Sequence, residues 1–194
     1  MVFSADCIIL LLHDPVTASI GAVHAGWRGT ALDLPAKAVE EMGRLFGAKR
    51  SDIRVAVGAG IGPCCFETHD DVPNAMRSAF GGGAEDYIRP RGEKWTVDLK
   101  GLNAWRLREA GVTLAVLSNK PHEAARPVVD RYYPNLFHRV QGALPGVPVK
   151  PDPTLLRRLM AEMGASQRDT LFVGDSNVDI RTAKHGGLTS CGVL

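Results

Sequence analysis

From Gly111 onward the chain alternates short apolar runs with amphipathic stretches, and this rhythm constrains the fold more than any other feature. Residues 113–117, 139–141, 170–173 and 191–194 read as strands, and 122–132, 153–163 and 177–185 as helices. Strands separated by helices pair in parallel, so the spacing predicts a parallel, Rossmann-like half-domain with helical crossovers. Such a sheet presents its chemistry at the C-terminal ends of its strands.

Before Gly111 the pattern is mixed. Residues 8–13 and 18–24 are apolar runs separated by Asp14-Pro15, which predicts two strands joined by a turn. Leu34, Ala38, Val39, Met42, Leu45 and Phe46 recur at helical spacing, Pro35 suits a first turn, and Gly47 is placed to stop the helix. A strand at 53–57 runs into the glycine-rich turn 58–63. A helix follows over 70–80, then a flexible loop at Gly81-Gly82-Gly83, a strand over 95–98 and a leucine-rich helix over 99–110. The expectation is an α/β protein of two parts, residues 1–112 as a mixed α/β sandwich fragment and residues 113–194 as the parallel half-domain.

Lys and Arg exceed Asp and Glu by two, 23 against 21, which gives no field strong enough to recruit nucleic acid or an anionic membrane. A small-molecule substrate is the expected partner, with self-association into a homo-oligomer left open. The first twelve residues have no basic leader and no cleavage site, and no apolar run is long enough to span a bilayer, so a cytoplasmic location is expected. Cys7, the pair Cys64-Cys65, and Cys191 lack the spacing of a disulfide framework or a zinc knuckle and read as reduced thiols, one of them a candidate ligand.

In the C-terminal part, three strand ends carry polar groups suited to a phosphate and a metal. Ser118-Asn119-Lys120 offers a hydroxyl and loop amides to phosphoryl oxygens, although Ser118 and Asn119 serve equally well as caps for the next helix. Lys150 in Lys150-Pro151-Asp152-Pro153 can neutralise negative charge, and Asp152-Pro153 opens a helix as cap and first-turn residue. Asp175 and Asp179, four apart around a helix start, are hard oxygen ligands for Mg²⁺. In this order the motifs resemble the haloacid dehalogenase superfamily, most closely its phosphoglycolate-phosphatase-like branch. The resemblance implies that Ser118, Asn119 and Lys150 bind the transferring phosphoryl group of a phosphomonoester and that Asp175 and Asp179 hold magnesium. That family's nucleophile lies in an Asp-x-Asp pair on its first strand, and no Asp-x-Asp occurs in this sequence. Asp14 is the nearest imitation, with Val16 at the second acid's place, and a turn aspartate explains it as well.

In the N-terminal part, Ala5-Asp6-Cys7, His24-Ala25-Gly26-Trp27-Arg28-Gly29 and Gly60-Ile61-Gly62-Pro63-Cys64-Cys65-Phe66-Glu67 resemble the laccase-domain family, also called polyphenol oxidase and described as zinc-dependent purine nucleoside phosphorylases. By position, Cys7 and His24 would be zinc ligands, and Arg28 would bind phosphate or the nucleoside. On spacing alone the same two residues read as a buried cysteine and a strand-end histidine, since catalytic zinc takes three protein ligands. The family's third ligand is a histidine in a Gln-Val-His-Gly-like motif, which this sequence lacks, so the third donor would come from elsewhere, His13 or a second chain. Cys64 and Cys65 match the family's paired cysteines and read locally as small side chains packed under a tight turn. Three functions are therefore expected in order: an impaired zinc-dependent phosphorylase, a magnesium-dependent phosphatase, and a catalytically silent hybrid of two incomplete enzymes.

Overall fold

Alternate residues of the first apolar run are buried, and this period of two sets the first layer. In the computed structural model, which describes residues 4–133, 136–168 and 170–192, β1 (Ile8–Asp14) turns Ile8, Leu10, Leu12 and Asp14 inward while Leu11 stays exposed. Each inward leucine or isoleucine contributes about 2 kcal/mol of apolar burial. The chain divides into two compact units, residues 1–112 and 113–194.

In the first unit, β1 lies between β2 (Ser19–Ala25) and β3 (Arg54–Val57), antiparallel to both. The register pairs Ile8 with Ala25 and Ile9 with His24. A short helix α1 (Trp27–Ala31), which periodicity does not signal, leaves β2 directly. Helix α2 (Leu34–Phe46) buries Pro35, Val39 and Met42. Leu45 and Phe46, expected on its buried face, are 57% and 52% exposed at the last turn of the helix. Gly47 ends α2 in the left-handed conformation, its N–H donating to the Gly43 carbonyl, as its position predicts.

A second antiparallel sheet orders β4 (Glu67–Thr68), β6 (Lys94–Val97) and β5 (Ile88–Arg91), with α3 (Asp71–Phe80) between β4 and β5 in sequence. Gly81-Gly82-Gly83 is not a loop but opens a 3₁₀ helix, Gly81–Tyr87. A Cβ at Gly83 would stand 2.5 Å from the Trp105 ring, so the missing side chain serves close packing rather than freedom. Helix α4 (Leu99–Glu109) is capped by the Asp98 side chain, which accepts from the Gly101 N–H at 2.9 Å.

In the second unit the strands pair in parallel, β7 (Ala115–Pro121) with β8 (Arg139–Ala143) and β9 (Leu171–Gly174) with β10 (Thr189–Gly192). They alternate with α5 (His122–Tyr132), α6 (Thr154–Glu162) and α7 (Asn177–Gly186). The expected alternation holds, but the last strand begins at Thr189 instead of Cys191, and residues 193–194 of that expectation lie outside the described residues. Leu156, Met160, Phe172, Ala183 and Leu188 form a buried core joined by Leu117 and Ala165.

Candidate functional site

The β1–β2 register decides where the first candidate pair goes. Cys7 precedes Ile8 and so lies across from Gly26, while His24 lies two residues from Gly26 on the same side of β2. A Cβ built on Gly26 would stand 2.9 Å from the Cys7 sulfur and 3.6 Å from His24 Nε2. Thiol and imidazole therefore converge over a backbone that only glycine leaves open. The glycine-rich turn closes the other side, since the Ile61 N–H donates to the Asp6 carbonyl at 2.8 Å and Gly58 N–H to Ile9 at 2.8 Å. Arg28, exposed on α1, lays its guanidinium over the Trp27 ring at 4.2 Å.

His13 is not a third donor. It pairs with Ile20 while His24 pairs with Ile9, so four residues of strand, about 13 Å, separate it from the pair. His69 is exposed just beyond β4. Among the described residues no group of three His, Cys, Asp or Glu side chains could hold a metal ion. Asp14 is fully buried, and its oxygens accept from the Val16 N–H and the Thr17 hydroxyl, both at 2.8 Å. Burial raises its carboxyl, but those hydrogen bonds outweigh it and leave the group below its ordinary value. It is a turn aspartate. Cys64 and Cys65 are both exposed rather than packed under the turn.

In the second unit the candidate residues come together by a different logic. Ser176 and Asp179 form a capping box at the start of α7. The Asp179 carboxylate accepts from the Ser176 hydroxyl at 2.6 Å on one oxygen and from Lys150 Nζ at 2.5 Å on the other. Burial pushes the Asp179 carboxyl up, yet the Lys150 and Ser176 hydrogen bonds hold it below its ordinary value. Gly174 permits this arrangement, because a Cβ there would meet the Asp179 side chain.

Asn119 does not cap α5. Its side chain donates to the Lys150 carbonyl at 3.0 Å and accepts from the Lys150 N–H at 2.9 Å, fastening the lysine's backbone to the end of β7. The Ser118 hydroxyl accepts from the Lys120 N–H at 3.1 Å, and α5 starts at His122 with Pro121 at the cap position and no side-chain cap. Asp152 accepts from the Thr154 N–H at 2.8 Å, one residue outside the position expected for it. Asp175 is exposed beside this set. The Lys150 and Asn119 partnership joins residues 31 apart and has no local signal in the sequence.

Two family models match the chain, and their matches overlap across the boundary between the units, over residues 72–128. The family described as multi-copper polyphenol oxidoreductase laccase matches residues 1–128, and haloacid dehalogenase-like hydrolase matches residues 72–187. The chain belongs to both families. A purine nucleoside phosphorylase of Deinococcus radiodurans is 40% identical over 109 residues, 56% of this chain and 42% of that one. Adenosine deaminase RL5, from an unknown prokaryotic organism, is 35% identical over 120 residues, 61% of this chain and 45% of its own. The crystal structure of YlmD from Geobacillus stearothermophilus is similar with a TM-score of 0.53 and 34% identity, over 56% of this chain and 41% of that chain. The chain thus spans less than half the length of these relatives. No helix among the described residues is long and apolar enough to cross a membrane.

Proposed function

We propose that this laccase-family and haloacid dehalogenase-like chain acts on purine nucleosides through its first unit, as an impaired zinc-dependent phosphorylase with Cys7 and His24 as donors and Arg28 as the phosphate-binding residue. The observation that carries this reading is the convergence of the thiol and the imidazole over Gly26. The relatives' names support the substrate class, since both act on purine nucleosides.

The fit to zinc is partial. Thiolate and neutral imidazole suit the ion, but two donors fall one short of a catalytic site, and no third joins them among the described residues. A zinc held by Cys7 and His24 would supply Lewis-acid polarisation. Arg28 presents a planar fork to inorganic phosphate from an exposed position. A phosphate oxygen attacks the ribosyl carbon, the carbon–nitrogen bond to the base breaks, and the purine leaves with the electron pair and takes a proton from solvent. Weak metal retention makes slow turnover the expectation.

Phosphate-dependent release of base from inosine, measured with and without added zinc, tests this. Gly26→Ala, which fills the cradle, is expected to lower zinc-supported release by about tenfold or more, as is Cys7→Ser. Release that ignores zinc and survives both substitutions overturns the reading.

A second reading is a phosphomonoester hydrolase in the second unit, with magnesium on Asp175 and Asp179. It is favoured by the fastening of Lys150 to Asn119 and Asp179. The fit to magnesium is poor, because both Asp179 oxygens already accept from Lys150 or Ser176. The attacking carboxylate pair is also missing from the sequence. Turnover of neither substrate class would leave the silent hybrid.

A further inference from the structure

The turn after the glycine-rich loop carries two sulfurs that neither proposed reaction uses. Cys64 and Cys65 are consecutive, both exposed, and their sulfurs lie 3.1 Å apart. Their backbone is held on several sides. Cys65 and Phe66 N–H both donate to the Gly62 carbonyl at 3.0 Å, Glu67 N–H donates to Cys65 at 3.0 Å, and Arg91 donates to the Cys64 carbonyl at 2.8 Å. Arg91 in turn lies 3.6 Å from Glu67, which also pairs with Lys94 at 3.0 Å. Adjacent thiols on a pinned turn are preorganised for a ligand that takes both sulfurs at once.

The separation selects among such ligands. With bonds to sulfur of about 2.3 Å, sulfurs 3.1 Å apart subtend about 85° at a shared centre. A tetrahedral zinc needs about 109° and a linear two-coordinate ion twice the present angle or more. An angle near a right angle suits a pyramidal trivalent centre with a lone pair. We propose that Cys64 and Cys65 form a chelating dithiol site for a soft trivalent metalloid, of which a monosubstituted arsenical is the representative. The step is a condensation without redox change. Two arsenic–sulfur bonds form, the bond from arsenic to oxygen breaks, and the two thiol protons leave with that oxygen as water. The hydrogen bond with Cys64 holds the Cys65 thiol above its ordinary value.

Phenylarsine oxide added to the whole chain, with intact-mass spectrometry and thiol counting, tests the assignment. The expected product is one phenylarsenic group per chain, two thiols protected from alkylation, no displacement by glutathione and full release by a small dithiol. Cys64→Ser and Cys65→Ser should each make any adduct glutathione-labile. The double variant Cys7→Ser/Cys191→Ser, which keeps only the pair, should retain the resistant adduct. A resistant adduct that persists in Cys64→Ser/Cys65→Ser, or a wild-type adduct that glutathione removes, overturns the proposal.

Discussion

Asp179 answers to three partners at once: a backbone N–H that needs a cap, a hydroxyl, and a lysine 29 residues earlier that is itself mostly buried. Removing its charge leaves the Lys150 ammonium without its counterion in a half-dry setting, next to the Phe172 ring at 5.9 Å. Asp179→Asn is therefore expected to cost about 2 kcal/mol at neutral pH in urea unfolding. The sign of its pH dependence follows from the depressed carboxyl. A folded value below the unfolded one of about 3.9 gives stability that is present above that pH and lost as pH falls through the folded value. The difference between wild type and Asp179→Asn should thus shrink below about pH 4, and a constant difference would refute the pairing. A helix start between Asp175 and Asp179 was legible in the sequence, and the structure adds the capping box of Ser176 and Asp179. The tie to Lys150 was not legible, because nothing local encodes which strand end a side chain will meet.

Among the elements, α4 has the firmest constraints. Gly101, Leu102, Asn103, Ala104 and Leu107 are all buried, so the helix is covered around most of its circumference. A Cβ at Gly101 would stand 2.5 Å from the Asp98 carboxylate and 2.8 Å from the Tyr87 ring. Gly101→Ala is expected to destabilise by about 2 kcal/mol despite its better helix propensity, a reversal that chemical denaturation reads directly. Burial raises the Asp98 carboxyl above its ordinary value, while its cap bond to Gly101 opposes that. A raised folded value means that stability is fullest below about pH 4 and declines as pH rises through it. Asp98→Asn keeps the acceptor without the buried charge and should match or exceed wild type at pH 7, whereas Asp98→Ala should lose about 1 kcal/mol. If both variants lose equally, the charge and not the cap is what matters. The helix was readable from its leucines. The 3₁₀ helix before it was not, because three glycines carry no periodicity and their reason, the Trp105 ring, comes from α4.

At the scale of the whole molecule, the missing Asp-x-Asp pair makes a sharp expectation. Incubation with a phosphomonoester and Mg²⁺ should yield no phosphoaspartyl chain by mass spectrometry, and finding one on Asp14 would overturn its assignment to the turn. The sequence by itself determined the β–α alternation of the second unit, the strand at β1, the stop at Gly47 and the separate motifs of each family, since each rests on spacing within a few residues. Only the tertiary structure decided that Cys7 and His24 meet over Gly26, that His13 lies about 13 Å too far along the strand, that Cys64 and Cys65 face solvent, and that Lys150 occupies an oxygen of Asp179. Those outcomes depend on register and on contacts between distant segments, where a single step along a strand or a single missing Cβ changes which atoms can touch.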